Sequence, residues 1–62
     1  MSTPEDIERA ALEARVTMTS VFKKANVARE SFYRAKRGDG SMTPLTVAKL
    51  EDAIRDLRRS AA

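Results

Sequence analysis

The chain has 62 residues, of which 42% are hydrophobic and 34% are charged, and its net charge at pH 7 is +3. This composition excludes a largely disordered chain, and the length suits one small domain covering 1–62. The chain contains neither cysteine nor histidine, which removes disulfides, the commonest metal ligand and the commonest proton shuttle. We therefore expect no enzyme activity, no cofactor and no small-molecule substrate.

The first predicted helix covers about 4–15. Thr3 suits the cap, Pro4 suits the first helical position, and the two acids that follow favour the positive end of the helix dipole. Apolar residues then recur at helical spacing, namely Ile7, Ala11 and Ala14, with Leu12 beside them. No apolar run is long enough to span a membrane, and the acidic N-terminus does not resemble a signal peptide, so we expect a cytoplasmic protein.

Two short helices are predicted next, helix 2 over about 18–25 and helix 3 over about 29–37. Thr17 or Thr19 is expected to cap helix 2, and asparagine at position 26 favours a left-handed turn after it. Gly38 is expected to end helix 3. The residues expected to face the core are Met18, Val21, Phe22, Ala25, Val27, Phe32 and Ala35.

A fourth helix is predicted from Thr43-Pro44 to about residue 58, with 59–62 frayed. Its expected apolar stripe consists of Leu45, Val47, Leu50, Ile54 and Leu57. The sequence contains no strand signal, so the fold class is predicted to be all-α.

Positive charge is concentrated in 17–38. This segment holds six basic residues and one acid, whereas the rest of the chain holds six basic residues and eight acids. A polyanion is therefore the expected partner. The basic residues of the segment are Lys23, Lys24, Arg29, Arg34, Lys36 and Arg37.

Two short helices around a tight turn, the second basic outside and apolar inside, form a helix-turn-helix pattern. Segment 17–38 resembles the helix-turn-helix of the lambda-repressor-like, Cro-type family of phage and bacterial regulators in Val21, Asn26, Val27, Phe32, Arg34 and Gly38. The chain departs from that family at Phe22, where a small residue is usual, and at Ala25, where a larger aliphatic is usual. Asn26 replaces the usual glycine. The resemblance implies a compact four- to five-helix lambda-repressor-like domain.

The resemblance also implies a sequence-specific regulator that reads the major groove of double-stranded DNA with helix 3. The expected base-reading residues are Ala28, Arg29, Glu30, Tyr33 and Arg34. The expected phosphate-binding residues are Thr17, Met18, Thr19, Ser31, Lys36, Arg37, Ser41 and Thr43. Alternatives stay open for each of these contacts. In these alternatives, Arg29 and Arg34 contact phosphates only, Glu30 forms an i,i+4 ion pair with Arg34, and Tyr33 is a surface aromatic or part of a protein interface.

A minimal regulator of this kind is expected to repress by occluding a palindromic operator as a homodimer, in bacterial cytoplasm or nucleoid, or in host cytoplasm if phage-encoded. The expected dimer surface is Ile54 with Leu57, or Leu12. Two rival functions remain, a helix-turn-helix module that binds protein, as an antitoxin or adaptor, and a non-specific DNA binder.

Overall fold

The computed structural model describes residues 3–61, and this part of the chain forms four helices without strands. In chain order they are α1 (Pro4–Glu13), α2 (Met18–Ala25), α3 (Arg29–Lys36) and α4 (Pro44–Ala61). The predicted all-α class is thereby confirmed for the described residues. Helix α4 continues beyond its predicted end near residue 58, because 59–61 are helical. The predicted fraying also covers Ala62, which lies outside the described residues.

Helix α1 begins with two reciprocal hydrogen bonds between Thr3 and Asp6. The Asp6 backbone N–H donates to Thr3 Oγ1 over 3.2 Å, and the Thr3 backbone N–H donates to Asp6 Oδ2 over 3.1 Å. This capping box satisfies two backbone donors that have no partner inside the helix. The backbone and hydroxyl hydrogen bonds with Thr3 lower the pKa of Asp6 below its ordinary value of 3.8.

The predicted end of α1 near residue 15 is wrong. The helix ends at Glu13, and Arg15 adopts a left-handed conformation with φ 60°. The Arg15 N–H donates to the Leu12 carbonyl and the Val16 N–H to the Ala11 carbonyl, each over 3.0 Å. These are the paired bonds of a Schellman motif, which requires a left-handed residue after the helix and usually has glycine there.

The turn between α2 and α3 is short and strongly determined by the sequence. Thr17 caps α2, since its Oγ1 accepts from the Ser20 backbone N–H over 3.2 Å. Asn26 ends the helix in the left-handed region, with φ 57° and ψ 45°, which confirms the conformation predicted for it. Helix α3 then begins without a side-chain cap, because Ala28 occupies that position.

A second Schellman motif ends α3 at Gly38, whose φ is +88°. The Gly38 N–H donates to the Ala35 carbonyl over 3.1 Å, and the Asp39 N–H donates to the Arg34 carbonyl over 3.0 Å. An added Cβ would meet no atom within 4 Å, so space does not call for glycine at this position. The positive φ does, because residues with a Cβ rarely adopt it. The predicted helix-ending role of Gly38 is confirmed.

The core is formed by all four helices, and the side chains that are buried within the described residues are all apolar. Helix α2 packs mainly on α4, while α1 contacts each of the other three helices. The three aromatic residues of the chain meet between α2 and α3, with ring centroids 5.3 Å apart for Phe22–Phe32, 6.0 Å for Phe22–Tyr33 and 5.3 Å for Phe32–Tyr33. The buried residues are Ile7, Ala11, Val21, Phe22, Phe32, Val47, Leu50, Ala53 and Ile54.

Two apolar residues, Leu45 and Ile54, are placed differently from their predicted roles. Leu45 was expected in the α4 stripe but is 67% exposed, because a helix of 3.6 residues per turn puts it about 140° around the axis from Leu50. Leu12, the alternative candidate for a dimer surface, lies at a similar angle from Ile7 in α1 and is 77% exposed. Ile54 is buried in the core, so its predicted part in a dimer surface is wrong. Leu57 is half-buried against the core.

Candidate nucleic-acid interface

Helix α3 presents one apolar side to the core and a polar side to solvent. Phe32 is fully buried and Ala35 is half-buried, whereas Arg29, Glu30 and Arg34 are exposed. The eight residues of the helix make it about 12 Å long, at 1.5 Å per residue. This outward side contains three of the five residues that the sequence predicted as base-reading.

A groove along α3 brings most of these residues together. It has a volume of about 300 Å³ and is lined by Arg29, Glu30, Tyr33, Arg34 and Arg37. We call it the α3 groove. Four of the five expected base-reading residues line it, together with one expected phosphate-binding residue. The fifth base-reading candidate, Ala28, is exposed at the position immediately before the helix.

A second groove lies between α2 and α3. Its volume is about 270 Å³, and it is lined by Thr19, Phe22, Lys23, Val27 and Arg29. We call it the α2–α3 groove. Arg29 lines both grooves, so the N-terminal turn of α2 and the N-terminal turn of α3 belong to one continuous surface.

Tyr33 is half-buried between two aromatic rings and two cations. The Arg29 Cζ lies 5.6 Å from its ring centroid, and the Lys36 Nζ lies 5.9 Å from it. Phe22 and Phe32 pack edge-on against the same ring. These separations are within the range of cation–π attraction, so the faces of the ring attract both basic groups.

Two of the three arginines in the α3 groove, Arg29 and Arg34, have no acidic partner within residues 3–60. Glu30 stands four residues before Arg34, yet the i,i+4 ion pair left open by the sequence is not formed between these side chains. In α4, by contrast, Arg55 pairs with Asp52 at 3.3 Å and Arg59 pairs with Asp56 at 4.0 Å. The charges of Arg29 and Arg34 are therefore left available for an external anion.

Two expected phosphate-binding residues have acidic partners of their own. The Lys36 Nζ lies 2.8 Å from Glu8 Oε1 and donates to Glu8 Oε2 over 3.1 Å. This hydrogen bond raises the pKa of Lys36 above its ordinary value. Arg37 Nε lies 3.5 Å from Asp39 Oδ2.

Of the remaining expected phosphate-binding residues, only Thr19 lines one of the two grooves. The Thr17 and Thr43 hydroxyls cap α2 and α4, the latter by accepting from the Thr46 N–H over 3.2 Å. Met18 is half-buried and packs against the core. Ser31 and Ser41 are exposed, and neither Ser41 nor Thr43 lines either groove.

Three residues contribute to this surface without having been predicted to do so. Glu8 neutralises Lys36 from α1, although the two residues are 28 positions apart in the sequence. Lys23, one of the basic residues of segment 17–38, lines the α2–α3 groove. A Cβ added at Gly40 would lie 3.6 Å from Arg34 Cδ, so the loop after α3 packs beside that side chain. No sequence signal identifies these contacts, because each depends on how the elements pack.

No protein-family model, curated protein or solved structure matches the chain. Within residues 3–61, none of the helices is both long enough and apolar enough to cross a membrane. The same residues contain no cluster of three or more side chains suited to hold a metal ion.

Proposed function

We propose that the chain is a sequence-specific, double-stranded DNA-binding protein that inserts α3 into the major groove. The observation that carries the proposal is the pair of unneutralised arginines, Arg29 and Arg34, on the exposed side of a short helix. The major groove of B-DNA is about 12 Å wide and admits one α-helix, and arginine makes bidentate hydrogen bonds there with O6 and N7 of guanine.

The other residues of the α3 groove have chemistry that complements these contacts. Glu30 is suited to accept a hydrogen bond from cytosine N4, and the Ala28 methyl group is suited to contact a thymine methyl. Both lie beside Arg29 at the beginning of α3, where recognition helices contact base edges.

Helix α2 has the features of the supporting helix of a helix-turn-helix. Asn26 turns the chain tightly, and the contacts of Phe22 with Phe32 and Tyr33 hold α3 against α2. The backbone N–H groups of Met18 and Thr19 lie in the first turn, where they have no intrahelical acceptor and are suited to bind a phosphate. Ser31, Arg37, Ser41 and Thr43 remain proposed phosphate contacts.

The biological role we propose is that of a cytoplasmic, lambda-repressor-like regulator that represses by occluding an operator. One eight-residue helix reads only a few base pairs, so we propose binding as a homodimer to a palindromic site. Among the residues expected at the dimer surface, Ile54 is buried and Leu12 is 77% exposed, so we propose Leu12 for that surface.

The test is a fluorescence-anisotropy titration of Arg34→Ala on duplexes of preferred and scrambled sequence. We expect the variant to lose its preference by roughly 5- to 150-fold, which corresponds to about 1–3 kcal/mol for a bidentate base contact. Arg58→Ala is the matched control, since Arg58 is an exposed arginine on α4. It should leave the preference unchanged.

Three results would oppose the proposal in distinct ways. Preference that survives Arg34→Ala would contradict the docking of α3. Equal binding of all duplexes by the unmodified chain would favour a non-specific binder. Failure to bind any duplex at low salt would favour a protein-binding antitoxin or adaptor, because phosphate attraction is strongest there.

A further inference from the structure

The ion pair between Glu8 and Lys36 connects α1 to the last turn of α3. The Lys36 ammonium contacts both carboxylate oxygens of Glu8, at 2.8 Å and 3.1 Å, and also lies over the ring of Tyr33. It therefore has a fixed position between two elements, whereas Arg29 and Arg34 on the same helix have no acidic partner within the described residues.

This contact changes what Lys36 can contribute to a DNA complex. A lysine that binds a phosphate releases condensed counterions from DNA, and this release strengthens binding to every sequence alike. A lysine whose charge is already matched by a carboxylate releases few counterions, and the carboxylate itself repels the phosphates nearby. Since exposed ion pairs stabilise a fold only slightly, stability alone is a weak reason for the pair.

We propose that Glu8 is a positioning residue that withholds Lys36 from the DNA backbone and so limits the sequence-independent part of duplex binding. The proposal rests on the proposed function and deepens it. Lys36 is then not a phosphate ligand of the unmodified chain, contrary to its expected role. Glu8 acts through Lys36 without touching DNA.

The experiment measures affinity for a random-sequence duplex as a function of salt for Glu8→Gln, Lys36→Gln and the double variant. In Glu8→Gln the released lysine should steepen the slope of log affinity against log salt by about 0.9 and raise affinity up to about eight-fold at 0.1 M salt. Lys36→Gln in the otherwise unmodified chain should leave the slope unchanged. The double variant should return to the original slope.

Glu13→Gln is the control for the loss of one negative charge from α1. Glu13 is exposed in the last turn of α1, and it is not paired with Lys36. This variant should change the slope by much less than Glu8→Gln. An equal change in both would overturn the proposal, because the effect would then come from net charge and not from Lys36.

Two further results would overturn the proposal about Glu8. One is an unchanged salt slope of the affinity in Glu8→Gln, and the other is a salt slope that becomes shallower by about one in Lys36→Gln alone. If Glu8→Gln fails to fold by circular dichroism, Lys36→Gln decides by itself, an unchanged slope supporting the proposal and a shallower one overturning it. Failure of the unmodified chain to bind any duplex would instead defeat the proposed function, and this inference with it.

Discussion

Tyr33 acts through its ring in this structure. Its ring contacts Arg29, Lys36, Phe22 and Phe32, and its hydroxyl has no hydrogen bond among the described residues. The sequence indicated a base-reading contact or a surface aromatic. The packing favours another role, in which the ring orients the Arg29 guanidinium.

Substitution of Tyr33 separates these roles. Tyr33→Phe retains the ring and should keep affinity for a preferred duplex within about two-fold, whereas Tyr33→Leu should lose about 2- to 5-fold, equivalent to a cation–π contribution of about 0.5–1 kcal/mol. Anisotropy titrations measure both. A loss in Tyr33→Phe as large as in Tyr33→Leu would show instead that the hydroxyl binds DNA.

Arg15 is a second residue whose role comes from the backbone. It has a left-handed conformation with φ 60°, which is unfavourable for residues with a Cβ by about 1–2 kcal/mol. Arg15→Gly removes this cost but makes the unfolded chain more flexible, so we expect a net gain of about 0.5–1 kcal/mol in unfolding free energy. Urea denaturation measures it.

Arg15→Ala is the matched control, because it removes the charge and retains the Cβ. It should give no such gain. If alanine stabilises the chain as much as glycine does, charge and not backbone strain determines the effect at this position.

At the residue scale, a backbone conformation could be predicted only where the residue type has a known preference for it. Asparagine favours the left-handed region, and Asn26 was predicted correctly. Arginine has no such preference, so nothing in the sequence pointed to Arg15, whose conformation follows from where α1 must turn towards α2.

At the scale of elements, α3 lacks a feature that the other three helices have at their starts. Thr3, Thr17 and Thr43 each accept a hydrogen bond from a backbone N–H of the following turn, whereas Ala28 offers no acceptor. Ala28→Ser should therefore raise the unfolding free energy by about 0.5–2 kcal/mol. Chemical denaturation measures this change.

The same substitution at Ala48 provides the control for Ala28→Ser. Ala48 is exposed within α4, where serine is a weaker helix former than alanine and should destabilise by roughly 0.5 kcal/mol. Opposite signs at the two positions are the expected result. A loss of stability in both would contradict the cap position of Ala28.

The capping box of α1 makes stability depend on acidity. The hydrogen bonds with Thr3 lower the folded-state pKa of Asp6 below the unfolded value of about 3.8, so this contribution is complete above pH 3.8 and is lost as pH falls through the folded-state pKa. Asp6→Asn cannot titrate. The stability difference between the two chains should therefore shrink as pH is lowered below about 3.8.

Thermal melts followed by circular dichroism at several acidic pH values measure this difference. Glu13→Gln is the comparison, since Glu13 lies in the last turn of the same helix and takes no part in its cap. A difference between the Asp6→Asn chain and the unmodified chain that stays constant with pH would contradict the role assigned to Asp6.

The boundaries of a helix were predicted best where a residue that favours starting a helix and a residue that favours ending one flank it. Thr17 and Asn26 flank α2, and its observed range agrees with the expected 18–25. Leu45 was placed wrongly in the apolar stripe because it lies near apolar residues in the sequence but about 140° around the helix axis from the buried Leu50. Hydrophobic character alone did not distinguish the two sides.

At the scale of the whole molecule, the candidate site combines local and long-range contacts. The α3 groove could be predicted because its residues belong to one helix and recur at helical spacing, as do Arg29, Tyr33 and Arg37. The Glu8–Lys36 pair could not, because it depends on how α1 packs against α3. The sequence therefore predicted which helix carries the candidate residues but not which of their charges are neutralised.

Selection of bound sequences from a random duplex pool tests the central claim, that α3 reads DNA sequence, most directly. We expect recovery of one motif containing guanines suited to Arg29 and Arg34, repeated as an inverted pair with centres about 34 Å apart if two copies bind. The Arg34→Ala variant should fail to enrich that motif. Recovery of unenriched sequences, or of no duplex at all, would contradict the claim.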